Sequence, residues 1–197
     1  MSKSIAFFDF DGTITYKDTL IEIIKFSRGT QQLYKGLLAL SPWLIAMKLK
    51  LFSNQSAKEK FLSYFLKNMP ENVFQEKCNE FTDTRLPQLI RPLALQSINE
   101  LKKKGTRIII VSASPRNWIE PWCLKNKLGL ISTVLETKGG KITGNIAGKN
   151  CYGEEKVNRI KEQFDLSTYN EIFCYGDTEG DKPMLSLATS AYYKPFR

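Results

Sequence analysis

The stretch IAFFDFDGTIT, residues 5–15, runs as an apolar strand and then places Asp9 and Asp11 two residues apart before Gly12. Burying one carboxylate is costly and burying two together costs more, unless a cation or a hydrogen-bonded turn compensates them. Four further polar residues stand in similar positions. Ser112 follows the apolar run RIIIV, Asp177 and Asp181 follow IFCYG, and Lys156 opens the amphipathic segment before that run. Asp9 and Asp177 can supply carboxylate oxygens to a hard divalent cation of the Mg²⁺ type, which shares its shell with water and substrate phosphate. Lys156 brings a mobile positive charge for the same oxygens, and Ser112 a hydroxyl. Such a set suits phosphoryl transfer, where positioning and charge neutralisation dominate. The bland alternatives are a solvated turn at Asp9–Gly12, a helix-surface Lys156, and an acidic surface or calcium loop at DTEGD. The last lacks the EF-hand pattern with its bidentate Glu.

Those residues need a scaffold that gathers strand ends. Ile5–Phe8 reads as a short buried strand, TRIIIVSAS as a central parallel strand, and ISTVLE, EIFCYGD and SAYYKP as three more. TKGGKITGNIAG reads as a small hairpin about Gly139-Gly140. Between these lie helical patterns in NWIEPWCLKNKLGL, GEEKVNRIKEQFD and DKPMLSLAT. From Thr19 to Leu101 the pattern is helical throughout, and it ends on three lysines and Gly105, a helix C-terminus signal. The expected fold is α/β: a Rossmann-like parallel sheet core, residues 1–14 and 98–197, with an inserted α-helical cap domain, residues 15–97. In open sheets of this kind ligands bind beyond the carboxyl ends of the strands, where all the candidate residues fall.

Composition narrows the chemistry. The chain has no histidine, which removes Ser–His and Cys–His nucleophile pairs and imidazole zinc sites. Its four cysteines, at positions 78, 123, 151 and 174, form no C-x-x-C and read as reduced packing residues of a cytoplasmic protein. Met1-Ser-Lys-Ser leads straight into a strand, so no signal peptide is expected. The 29 basic residues against 20 acidic ones leave a net charge of +9, which favours anionic partners. The basic residues are dispersed without a tract or an RNA-binding signature, so nucleic acid is not expected.

DFDGT (Asp9–Thr13), VS (Val111–Ser112), EEK ending at Lys156 and GDTEGD (Gly176–Asp181) stand in the order of the four motifs of the haloacid dehalogenase-like hydrolase superfamily. The chain resembles its small-cap subfamily, which includes phosphoserine phosphatase. That resemblance implies Asp9 as the nucleophile that becomes an aspartyl-phosphate, and Asp11 as the acid and then the base. It implies Ser112 and Lys156 as phosphate-binding residues, a Mg²⁺ site of Asp9, the Asp11 carbonyl and Asp177, and support from Asp181. An acid at position 11 fits the phosphatases, not the dehalogenase or phosphonate-cleaving branches. The chain departs from phosphoserine phosphatases in Ala113, Ser114 and Pro115, where those have glycines, and in Gly180, where they have Asn. Their cap glutamate corresponds to Asp18, and Lys58 and Lys60 stand where a cap arginine is expected.

The segment LYKGLLALSPWLIAMKLKLF, residues 33–52, is the most apolar of the chain, and Lys35, Pro42, Lys48 and Lys50 interrupt it. Two readings stay open. One is a helical hairpin packed inside the cap. The other is an interfacial surface with Trp43, Leu44 and Met47 towards lipid, peripheral to the inner face of the membrane. The expected partner is accordingly a small phosphorylated substrate or, in the second reading, a phospholipid phosphate, as in some small-cap relatives.

Overall fold

The computed structural model describes residues 3–48 and 53–197, without the side chains of Leu44, Ala46, Met47 and Lys48. Its centre is β1 (Ser4–Phe8), five residues buried throughout. Around it a five-stranded parallel sheet has the order β3-β2-β1-β6-β7, with β2 Arg107–Pro115, β3 Gly129–Thr133, β6 Glu171–Gly176 and β7 Ser190–Tyr193. Phe8 is in register with Ile110 on one side and Tyr175 on the other, so β1 and β6 end within one residue of each other while β2 runs on to Pro115. Alternation along the strands feeds two cores. Ala6, Phe8, Ile108 and Ile110 face one apolar cluster, while Ile5, Phe7, Ile109 and Val111 face a second, under α7 (Glu154–Gln163).

Among the described residues, five α-helices lie between β1 and β2 in the chain, and the first four are α1 (Thr19–Arg28), α2 (Thr30–Lys48), α3 (Asn54–Leu66) and α4 (Glu71–Thr84). Asp18 caps α1 by accepting from the backbone of Leu20 and Ile21, and Ser53 caps α3. Their apolar faces, including Ile23, Leu62, Phe74 and Phe81, join the same cluster as Phe8 and Ile110. The inserted helices and the sheet therefore share one core. α5 (Pro92–Lys103) returns the chain to the sheet, and the expected division at 97/98 falls inside this unbroken helix.

Three local expectations are corrected. ISTVLE is not one strand: β3 ends at Thr133, and Leu135 opens β4 (Leu135–Lys138), which pairs only with β5 (Lys141–Ile146) across the expected Gly139-Gly140 turn. Uniform β propensity on both sides of Val134 hides the change of partner. The helix in DKPMLSLAT is four residues long, Lys182–Leu185 (α8), with α6 (Arg116–Lys125) also ending well before its predicted limit because β3 begins at Gly129. The described part of segment 33–52 is one continuous helix rather than a hairpin. Pro42 deprives the Leu38 carbonyl of its N–H partner, and the Ser41 hydroxyl donates to that oxygen instead at 2.8 Å. Residues 49–52 and the side chains of Leu44 and Met47 lie outside the described residues. Among the described residues no helix is long and apolar enough to cross a membrane.

Candidate active site

The adjacent carboxyl ends of β1 and β6 bring the sequence-predicted acids together. Asp9 leaves β1 with its N–H donating to the Tyr175 carbonyl at 2.9 Å, which continues the β1–β6 ladder and fixes where its carboxylate emerges. Lys156, in the first turn of α7, is fully buried and donates to Asp9 Oδ1 and Asp181 Oδ1, both at 2.6 Å. The other Asp181 oxygen accepts from the backbone of Asp177 and Thr178 and from the Thr178 hydroxyl, at 2.8–3.1 Å. Asp177 accepts from the Thr13 hydroxyl at 3.3 Å and pairs with the Arg197 guanidinium. Gly12 is obligatory here. Its φ is +80°, and a Cβ would come within 2.4 Å of an Asp177 carboxylate oxygen.

The electrostatics follow from burial. Desolvation pushes the Asp9 carboxyl up to about 7, against the pull of Lys156 and with the charges of Asp181 and Asp11 adding to the rise. Desolvation also raises Asp177. Burial opposes ionisation of Asp181 and Lys156 too, but ion pairing outweighs it: Lys156 holds Asp181 below the usual carboxylate range, and Asp9 and Asp181 hold Lys156 above the usual lysine range. Asp9, Asp177 and Asp181 each offer an oxygen within 4.8 Å of the other two. A buried set of hard oxygen donors with an acid excess fits Mg²⁺. Asp181, expected only in support, belongs to this group.

Asp11 is aimed elsewhere. Its Oδ1 accepts from the Thr19 backbone and hydroxyl, both at 2.6 Å, and Trp118 Nε1 donates to the same hydroxyl at 2.9 Å. Ser112, fully buried, donates to Asp11 Oδ2 at 3.4 Å and accepts from the Ser114 N–H at 3.0 Å. The register of β2 against β3 shifts between Ser112 and Pro115, and such a bulge re-aims the backbone beside the carboxylates. Thr19, Trp118 and Arg197 are site residues that the sequence reading missed. Trp118 carried a core signature and Arg197 carried none.

A cleft of ≈ 600 Å³ opens over these groups. Its floor is Asp9, Asp11, Lys156, Asp177 and Asp181, and its opposite wall is largely apolar, built from Leu20, Ile21, Leu37, Ala57 and Phe61. Lys58 reaches in from α3. It donates to the Ala113 carbonyl at 2.6 Å and to Asn150 Oδ1 at 3.3 Å, and desolvation lowers its ammonium to about 8. Lys60, its sequence alternative, instead packs over the Trp43 ring on the outside. Asp18 lines the cleft near its mouth. Gly180 has a packing reason as well, since any Cβ there would strike the Tyr152 ring at 2.2 Å.

Comparison with known proteins places this geometry. The family model described as haloacid dehalogenase-like hydrolase matches residues 6–186. Protein CicA of Caulobacter vibrioides is 35% identical over 196 residues, covering 96% of this chain and 85% of its own length. A phosphoserine phosphatase of Methanocaldococcus jannaschii is 28% identical, covering 94% of this chain and 82% of its own. Among solved structures, a protein of unknown function from Bordetella pertussis Tohama I superposes with a TM-score of 0.83 at 19% identity, covering 97% of this chain and 89% of that one.

Proposed function

The chain belongs to the haloacid dehalogenase-like hydrolases, and from that membership we propose that it is a Mg²⁺-dependent phosphomonoesterase that works through an aspartyl-phosphate on Asp9. The observation that carries the reading is the convergence of Asp9, Lys156, Asp177 and Asp181, from three distant parts of the chain, on one buried spot at the strand ends. Family members generally use Mg²⁺; here Asp9, the Asp11 carbonyl and Asp177 would hold it with Asp181 in support, and it supplies charge neutralisation for the phosphate oxygens. An Asp9 oxygen attacks phosphorus, and the P–O bond to the alcohol breaks. Asp11, oriented by the Thr19 backbone and hydroxyl, gives its proton to the departing alkoxide. The same carboxylate then takes a proton from water as that water attacks the aspartyl-phosphate, which returns free Asp9 and inorganic phosphate. Lys156 and Ser112 hold the phosphoryl oxygens. Residues 15–97 act as the cap that closes the cleft over the core of residues 1–14 and 98–197.

The phosphoserine phosphatase among the relatives supports the reaction class. Turnover of a phosphomonoester panel with Mg²⁺ or chelator tests the reading. Asp9→Asn should lose activity by about a thousandfold or more while its circular dichroism and melting stay close to wild type. Full activity in that variant removes Asp9 from its role.

A further inference from the structure

Lys58 joins three segments that lie far apart in the chain. It stands on α3, and its ammonium donates to the Ala113 carbonyl and to Asn150 Oδ1, at 2.6 and 3.3 Å. Ala113 directly follows Ser112. Ser112 and Pro115 pair with the consecutive residues Ser132 and Thr133, so Ala113 and Ser114 bulge out of the ladder. Backbone outside a ladder needs other partners. The Ser114 N–H finds the Ser112 hydroxyl, and the Ala113 carbonyl finds Lys58. On the other side Asn150 is buried, and the Oδ1 that meets Lys58 also accepts from the Thr133 hydroxyl at 3.0 Å. That hydroxyl accepts from the Cys151 N–H at 3.0 Å, which fixes the loop leading through Gly153 into α7 and Lys156. One cap ammonium therefore touches the segment just after Ser112 and the segment just before Lys156. A lysine on a helix ordinarily keeps its ammonium in water, and withdrawing it is costly unless oxygens replace that water.

We propose that Lys58 is a positioning residue of the reaction: from the cap it clamps the bulge after Ser112 to the loop before α7, and so sets the spacing of the two phosphate-holding side chains. The inference rests on the phosphatase reading and adds a residue to that same site. It differs from a role in reading the alcohol. An ammonium has three donors, and two of them are committed to oxygens of the chain itself. A clamp acts alike on every phosphomonoester and on free phosphate, whereas a group that reads the alcohol acts only on substrates that carry its partner. Gln55, on the same helix, is the natural control. Its side-chain amide donates to the Gly148 carbonyl at 3.1 Å and accepts from the Asn150 N–H at 3.0 Å. Those bonds tie α3 to the loop without reaching Ala113.

Three measurements on the full chain test the clamp: kinetics with p-nitrophenyl phosphate and phosphoserine, calorimetric titration of inorganic phosphate with Mg²⁺, and amide hydrogen exchange. Lys58→Met keeps the stem and removes the donors. Its phosphate affinity should fall about tenfold, and kcat/KM should fall by at least that factor for both esters. Exchange should quicken at residues 113–114 and at 148–153 together. Lys58→Arg keeps charge and donors, and should recover at least about threefold of the lost affinity. Gln55→Ala should quicken exchange in 148–153 alone and change phosphate affinity by less than about twofold. An equal loss in Gln55→Ala, or a Lys58→Met chain that fails to fold, would make Lys58 a structural strut and overturn the proposal. A loss confined to one ester, with phosphate affinity unchanged, would make it a reader of the alcohol and overturn it as well. Unchanged exchange in Lys58→Met overturns the clamp while turnover leaves the phosphatase reading standing. Quickened exchange without Asp9-dependent hydrolysis of any phosphomonoester removes the phosphatase reading, and the positioning role with it.

Discussion

The floor and the roof of the cleft are built on opposite principles. On the floor, Asp9, Lys156, Asp177 and Asp181 sit within hydrogen-bond reach of fixed partners, and no described buried side-chain polar atom lacks one. On the roof, Leu20, Ile21, Leu37, Ala57 and Phe61 present an apolar wall with Lys58 as its charged intrusion. A floor of this kind holds reacting groups in one geometry, because moving any of them strands a buried charge. An apolar wall imposes area and shape and tolerates change. In the phosphatase reading proposed above, the contrast suits the strand ends to the chemical step and the inserted helices to the choice of alcohol.

The largest test of that contrast is on the floor. Lys156→Met leaves Asp9 and Asp181 facing each other without their shared cation donor, and should cost about 3–5 kcal/mol of unfolding free energy in urea titrations. A loss below 1 kcal/mol would mean that the floor relaxes as freely as the roof. Next comes the contact that joins the two regions. Trp118→Phe removes the donor to the Thr19 hydroxyl and frees Asp11 to turn, so kcat should fall by roughly tenfold with KM little changed. A change in KM alone would place Trp118 with the roof. The smallest effect concerns Arg197, which pairs with Asp177 and is half-exposed. A bound cation shares that carboxylate with the guanidinium, so Arg197→Gln should raise Mg²⁺ affinity roughly two- to fivefold in a titration calorimeter, the size of a solvent-screened charge interaction. A weaker affinity would show that the arginine orients Asp177 instead.

Much of the floor was readable from residue types. DFDGT, Lys156 and GDTEGD each follow or precede an apolar run, and the rule that ligands lie beyond strand ends predicts their meeting. The division of labour among the acids was less readable. Asp181 resembles a supporting residue in sequence, yet it shares Lys156 with Asp9 and joins the three-oxygen group. Trp118 reads as core and is core, with its indole N–H put to use. Arg197 follows no pattern at all, because its role depends on β7 returning the chain to the edge of Asp177.

The sequence alone determined the alternation of strands with helices and the helical stretch between β1 and β2, and it marked the acids that the fold brings together, since all three follow from hydrophobic period and the cost of burying charge. Only the folded chain decided which side of α2 meets water, where ISTVLE changes partners and which groups hold Asp11. Those outcomes depend on contacts between residues tens of positions apart, and a local pattern carries no record of the neighbour that will complete it.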